Sequence, residues 1–190
     1  MSGRPRSRAS NARSFLELLE ELEPGMTERL RAALPPPILQ GILDSAATDW
    51  LDVEEINGPF VTQIVLELGP ERATAAWRRY VAERLAVRPA FRAIVDGAAS
   101  VFGLGLGAAL RVFPIAFQQA YRDCAEVRVT QSAREATIVL DLAPEFARFE
   151  AYGALLRGVF LGMADLTKAK ASLAFEPDFV ARRVRARLRW

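Results

Sequence analysis

The chain has 190 residues, of which 51% are apolar and 25% charged, with a formal net charge of +2. These values are typical of a folded globular protein. The chain has no histidine and a single cysteine, Cys124. The composition therefore excludes Ser-His-Asp and Cys-His nucleophilic sites and any metal or haem site that depends on imidazole. A lone cysteine cannot form an internal disulfide, so we expect a reducing, cytoplasmic location.

The two ends of the chain are basic and the middle is net acidic. Residues 1–13 and 182–190 contain arginines and no acid. We expect residues 1–10 to form a flexible basic arm, because they lack apolar periodicity. Residues 11–190 are expected to form one α+β domain, and no segment is apolar enough to predict a membrane span.

The first two thirds of the chain show the spacing of amphipathic helices. An apolar stripe from Phe15 to Leu22 predicts the first helix, which Pro24-Gly25 ends. Proline and glycine punctuation predicts the further helices, over residues 26–34, 37–47, 59–68, 70–85, 89–102 and 108–122. Pro114 predicts a kink or break in the last of these.

After Cys124 the apolar period changes from that of a helix to that of a strand. Two hairpins are predicted, the first formed by residues 127–130 and 137–142 and the second by residues 169–175 and 184–190, with a turn at 176–178. A long helix over 144–166 separates them. We therefore predict an α+β fold in which a mainly helical N-terminal half packs on a four-stranded antiparallel sheet, in the order hairpin, long helix, hairpin.

This order of elements, with glycines in the long helix and a terminal tryptophan, resembles the V4R-type domain. That superfamily includes the haem nitric-oxide-binding domain and the Golgi transport-particle subunits. The segments Leu-Gly-Pro-Glu-Arg-Ala-Thr-Ala-Ala-Trp-Arg-Arg-Tyr (68–80) and Val-Arg-Ala-Arg-Leu-Arg-Trp (184–190) resemble more closely a paralogous family abundant in myxobacteria. The resemblance covers residues 35–190 and implies an apolar pocket between helices and sheet. It transfers no haem, because the proximal histidine is missing, and no acylated cysteine or catalytic residue.

Three local motifs have a functional and a structural interpretation. The Gly103–Gly107 stretch is similar to a phosphate-binding loop, but helical flanks favour a connector. Cys124 is a candidate acylation or redox site, although the acids beside it favour an unreactive buried residue. An acid-rich segment lacks the spacing of a calcium loop, so helix capping explains it better. Its residues are Asp44, Asp49, Asp52, Glu54 and Glu55.

The last strand carries a row of arginines on one face. These residues alternate with the apolar residues Val184, Ala186, Leu188 and Trp190, which we expect to be buried. The row is either a solvated face or a contact for an acidic partner, a membrane surface or a second copy of the chain. The candidate interaction face consists of Arg183, Arg185, Arg187 and Arg189.

Aromatic side chains of the helical half are numerous enough to line a pocket, although such a stripe is more often core. The candidate pocket residues are Trp77, Tyr80, Phe102, Phe113 and Phe117. We therefore predict a non-enzymatic cytoplasmic module, in signalling or assembly, that binds an apolar small molecule or a partner protein. No cofactor is assigned and nucleic acid is disfavoured. The alternative is a structural dimerisation or scaffold domain without a ligand, forming a homodimer.

Overall fold

The computed structural model describes residues 3–85 and 105–190. Within these ranges a mainly helical N-terminal half precedes a four-stranded antiparallel sheet, which confirms the predicted α+β class. The helices of this half are Ala9–Leu22 (α1), Met26–Ala33 (α2), Pro36–Asp44 (α3), Gly58–Leu68 (α4), Pro70–Arg79 (α5) and Leu106–Ala120 (α6). The π-helical segments Val53–Asn57 and Tyr80–Leu85 precede α4 and follow α5. The helix predicted over 89–102 lies outside the described residues.

The local sequence explains where several of these helices start and stop. Gly69 separates α4 from α5 with φ +77°, a left-handed conformation that favours glycine, and Pro70 then occupies the first turn of α5. Pro114 lies inside α6, which continues through it from Leu106 to Ala120. The break that we considered there is therefore not present.

Residues 6–8 lie in a small antiparallel sheet and residues 9 and 10 begin α1, so the flexible arm predicted for residues 1–10 is wrong for this part of the segment. Arg6–Arg8 (β1) is the central strand between Trp50–Asp52 (β2) and Tyr121–Arg122 (β3). Ser7 is only 2% exposed. The sequence lacked a signal because backbone hydrogen bonds hold this strand and its one inward side chain is small and polar.

The four-stranded sheet contains Ala125–Gln131 (β4), Glu135–Leu142 (β5), Ser172–Asp178 (β6) and Arg183–Arg189 (β7), in the order β4-β5-β7-β6. Every neighbouring pair is antiparallel. Along β7 the predicted alternation is confirmed: Val184, Ala186 and Leu188 are fully buried and the arginines are exposed. Trp190 is only partly buried because it follows the end of the strand, beside Gly107.

Two boundaries in the C-terminal third differ from those predicted. The helix expected over 144–166 consists of a short helix, Pro144–Ala147 (α7), and a long one, Tyr152–Leu166 (α8), and the turn between them lets Phe146 stack on Tyr152 at 3.8 Å. The expected turn at 176–178 belongs to β6, and the true turn follows it. Pro177 is tolerated because β6 is an edge strand, where a missing N–H costs little.

Helix α8 lies between the sheet and α5, and its glycines set how closely α5 approaches. A Cβ at Gly158 would lie 2.5 Å from the Trp77 Cβ, and one at Gly162 would lie 2.6 Å from the Arg78 carbonyl oxygen. On the opposite side, Phe160 contacts Phe175 of β6 with ring centroids 6.4 Å apart. The central helix is thus buried on both sides, and its packing fixes the position of Trp77.

Candidate functional site

An apolar cavity lies among α1, α5, α6 and α8. Its volume is about 330 Å³, within the range of about 300–1,000 Å³ that is usual for small-molecule sites. Helix α6 contributes one wall, with residues from Ala109 to Ala120, and α8 contributes another, with residues from Leu155 to Leu166. The remaining described lining comes from Arg8 and the start of α1, the loop before β2, the segment from Trp77 to Leu85, and Tyr121.

The structure brings together four of the five residues singled out as pocket lining. Trp77, Tyr80, Phe113 and Phe117 all line this cavity, whereas Phe102 lies outside the described residues. Sequence reasoning missed the contribution of α8. The signal was present, because a helix that is apolar on most of its circumference must face structure on more than one side. The α8 residues on the cavity are Leu155, Leu156, Val159, Met163 and Leu166.

Ring contacts fix the aromatic wall of the cavity. Trp77 stacks on Phe15 with centroids 3.4 Å apart, and Tyr80 packs edge-on against both rings. On α6, Phe117 contacts Phe113 at 5.8 Å and stacks on Tyr121 at 5.3 Å. Each of these aromatic side chains contacts a ring on another element, so the wall is preformed.

Few polar groups line this wall. The indole N–H of Trp77 is buried, and it has no hydrogen-bond acceptor among the described residues. The Tyr80 hydroxyl donates to Asn11 Oδ1 at 3.4 Å. Burial raises the pKa of Tyr121 well above its ordinary value, so this phenol stays protonated at neutral pH. The aromatic wall is therefore neutral and mainly apolar.

A second pocket, of about 370 Å³, lies at the start of α6. Gly105 and Gly107, the part of the glycine-rich stretch that the structure describes, line it together with Trp190. Two of its polar side chains, Arg111 and Gln131, bond to each other at 3.0 Å. Helix α6 begins directly after Gly105, as a connector requires, and residues 103 and 104 lie outside the described part.

Burial and backbone hydrogen bonds account for Cys124 and for Asp52 of the acid-rich segment. Cys124 is fully buried, its thiol donates to the Arg122 carbonyl oxygen at 3.3 Å, and burial raises its pKa well above the ordinary value. Asp52 accepts hydrogen bonds from the backbone N–H groups of Glu54 and Glu55. Residues 3–85 and 105–190 contain no cluster of acids, histidine or cysteine suited to a metal ion.

The C-terminal arginines lie on the outer face of the sheet, where acids of neighbouring strands meet them. Arg183 Nε lies 2.8 Å from Asp141 Oδ1, and Glu135 pairs with both Arg187 and Arg189. Arg185 faces Glu176 in the register of β6 and β7. Cross-strand pairs of this kind stabilise the sheet surface and leave little excess positive charge there.

A different face carries arginines for which the described residues show no ion-pair partner. On the outer side of the small sheet, the Arg8 guanidinium lies over the Trp50 ring at 4.0 Å and that of Arg122 lies over it at 4.5 Å. Arg6 is the register partner of Arg122. Arg8 also lines the cavity, so this basic face meets the cavity at one end.

This arrangement of helices over a four-stranded sheet is similar to the fold of solved H-NOX structures. The chain is similar to a structure described as probing heme distortion in the H-NOX family, with a TM-score of 0.63 and 13% identity over 96% of this chain and 94% of that one. It is also similar to a variant of the H-NOX protein from T. tengcongensis (TM-score 0.61, 13% identity, 96% of both chains). For the Fe(II) unliganded H-NOX protein from K. algicida the values are 0.61 and 10%, over 96% and 95%.

At these identities the likeness concerns the fold alone. No family model matches the chain, and no curated protein matches it either. The V4R-type and myxobacterial resemblance therefore stays a prediction, although it indicated the observed kind of fold.

The residues of this chain do not fit the haem of those structures. Haem iron is held by histidine, cysteine thiolate, methionine or tyrosine, and the full sequence has no histidine. Cys124 is buried away from the cavity with a raised pKa, and Tyr121 on the cavity is held protonated. Neither the thiolate of Cys124 nor the phenolate of Tyr121 is therefore available, which leaves Tyr80 and Met163 as the other candidate ligands of the described lining.

Proposed function

We propose that the protein is a non-enzymatic binding module, used in signalling, that holds an apolar small molecule in the cavity between α6 and α8. The observation that carries this proposal is a preformed cavity of about 330 Å³ inside the helical half. A wall of stacked aromatic rings with few polar groups supports it, because small-molecule sites are mostly lined by apolar and aromatic side chains.

The other predicted roles have less support. A partner protein on the arginine face of β7 would have to displace the acids that already pair with Arg183, Arg187 and Arg189. A scaffold domain needs a contiguous exposed apolar face. Among the described residues the exposed large apolar side chains, Leu66, Ile115 and Val180, lie on separate elements. The cavity is thus the better candidate.

Calorimetric titration with a series of linear alcohols tests the proposal. We expect affinity to rise about fourfold per methylene from hexanol to decanol, because each buried methylene contributes about 0.8 kcal/mol. Ala116 lines the middle of the cavity and is partly buried. We expect Ala116→Phe to occupy that volume and lower the decanol affinity by about tenfold or more, since a blocked chain loses several methylene contacts.

Ala75→Phe is the matched control, because the same substitution is made at an exposed position of α5, and it should bind like the wild type. Native mass spectrometry of the freshly purified protein adds the mass of any retained molecule and the oligomeric state. Binding of no alcohol, or equal binding by the wild type and Ala116→Phe, would overturn the proposal.

A further inference from the structure

The two ends of the cavity differ in chemistry, and ring contacts fix which residues lie at each end. Tyr121, after the C-terminus of α6, lies 6.3 Å from Tyr152 at the start of α8, and Phe113 lies 5.2 Å from Phe160. The two helices therefore run antiparallel along the cavity. From Ala109 to Ala120, α6 extends about 16 Å at the usual rise per residue, so the cavity is elongated.

One end of the cavity is polar. The start of α1 contributes Ser10 and Asn11, the strand before it contributes Arg8, and the end of α6 contributes Gln119. These groups are near one another because Tyr121 is the register partner of Ser7, directly beside Arg8. Among the described lining residues, Arg8 is the only one with a charged side chain.

The other end is apolar. It lies between the first turns of α6 and the last turns of α8, where Ala109 and Met163 line it. Gly162 packs against Val81, so the segment that ends at Leu85 reaches the same end. A ligand that fills the cavity would thus meet a cation at one end and apolar side chains of the described lining at the other.

Arg8 is positioned to meet an anion. Its Nη1 donates to the Thr48 carbonyl oxygen at 2.6 Å and its plane rests on Trp50, which together fix the guanidinium. A guanidinium has five N–H donors, and no carboxylate of the described residues pairs with Arg8. The nearest acid in the sheet, Asp52, is the register partner of Arg6 and already caps the turn that follows it.

We propose that the ligand is an amphipathic monocarboxylic acid, with its carboxylate on Arg8 and its apolar chain between α6 and α8. This inference rests on the proposed function, whose cavity it uses. Arginine suits a carboxylate because two parallel N–H groups match its two oxygens. A cavity of about 330 Å³ has room for a single chain, which favours a free acid over a two-chain lipid.

The test compares decanoate with decanol and methyl decanoate, which share the alkyl chain and lack the charge. At neutral pH and low salt we expect the wild type to bind decanoate about tenfold or more tightly than either neutral analogue, because charge-assisted hydrogen bonds are stronger. The preference should shrink as salt is added, since the head group lies at a solvent-exposed rim. This comparison uses the wild-type protein alone.

Substitution of Arg8 then locates the head group. Arg8→Gln should remove the preference for decanoate and leave decanol binding within about twofold of the wild type. Arg6→Gln is the matched control, because Arg6 lies on the same strand and sheet face but does not line the cavity, and it should keep the preference. Circular dichroism of each variant establishes that it is folded.

The outcomes separate this inference from the proposed function. Equal binding of all three ligands by the wild type, or a preference for decanoate that Arg6→Gln removes and Arg8→Gln keeps, overturns the carboxylate site and leaves the apolar cavity standing. Binding of none of the three ligands overturns the proposed function itself. If Arg8→Gln does not fold, the wild-type salt dependence and the comparison with methyl decanoate still decide whether the carboxylate contributes to binding.

Discussion

Two glycines of α8 control the distance between α8 and α5. A Cβ at Gly158 would lie 2.6 Å from the Thr74 carbonyl oxygen as well as 2.5 Å from the Trp77 Cβ, and backbone cannot move aside as a flexible side chain can. Alanine in a helix interior is otherwise favoured over glycine by about 1 kcal/mol. At Gly158 and Gly162 the structure shows close packing.

We therefore expect Gly158→Ala to destabilise the protein by about 1–3 kcal/mol despite its higher helix propensity, because overpacking forces the helices apart. Gly153→Ala is the control on the same helix. There the new Cβ would meet Phe179 at 3.4 Å, an ordinary contact, so the free energy of unfolding should stay the same or rise slightly. Urea unfolding followed by circular dichroism measures both. A Gly158→Ala variant as stable as Gly153→Ala would show that α5 can shift without cost.

Strand β1 connects the small sheet, since both β2 and β3 pair only with it. Its backbone bonds extend beyond the strand itself: Val53 N–H donates to the Pro5 carbonyl oxygen and Ala9 N–H donates to that of Asp49, each at 3.1 Å. We expect deletion of residues 1–8 to cost about 3 kcal/mol or more, because several backbone hydrogen bonds of about 1 kcal/mol each are lost together. The midpoint of urea unfolding measures this loss.

Deletion of residues 1–4 is the matched control, because it leaves β1 intact and the interaction it removes from described residues 3 and 4 is an exposed ion pair of Arg4 with Glu55. Such pairs are worth little, so stability should change by less than about 1 kcal/mol. An unchanged midpoint after removal of residues 1–8 would mean that β1 does not stabilise the fold. The segment would then contribute no more to stability than the flexible arm predicted from the sequence.

The molecule divides into parts that periodicity predicts and parts that it does not. The alternation of buried and exposed residues in β7, and the proline and glycine boundaries of α4 and α5, could be predicted from the sequence. Each follows from the residues of that element alone. The strand Arg6–Arg8 and the break between α7 and α8 were not, because partners distant in sequence hold them, such as Trp50 and Tyr121 for β1. The same applies to the site. Aromatic bulk was visible in the sequence, but the position of Arg8 at the rim depends on the pairing of β1.

The whole molecule shares a fold with haem proteins and is expected not to bind haem. Its described cavity offers Tyr80, Tyr121 and Met163 as the only groups that ligate iron in other haem proteins. Burial raises the pKa of Tyr121, so phenolate ligation carries the cost of deprotonating it. Haemin titration followed by desalting should leave no Soret band, while the K. algicida H-NOX protein treated in parallel retains one. A band that persists in the wild type and vanishes in Tyr121→Phe would establish tyrosine ligation and overturn this expectation.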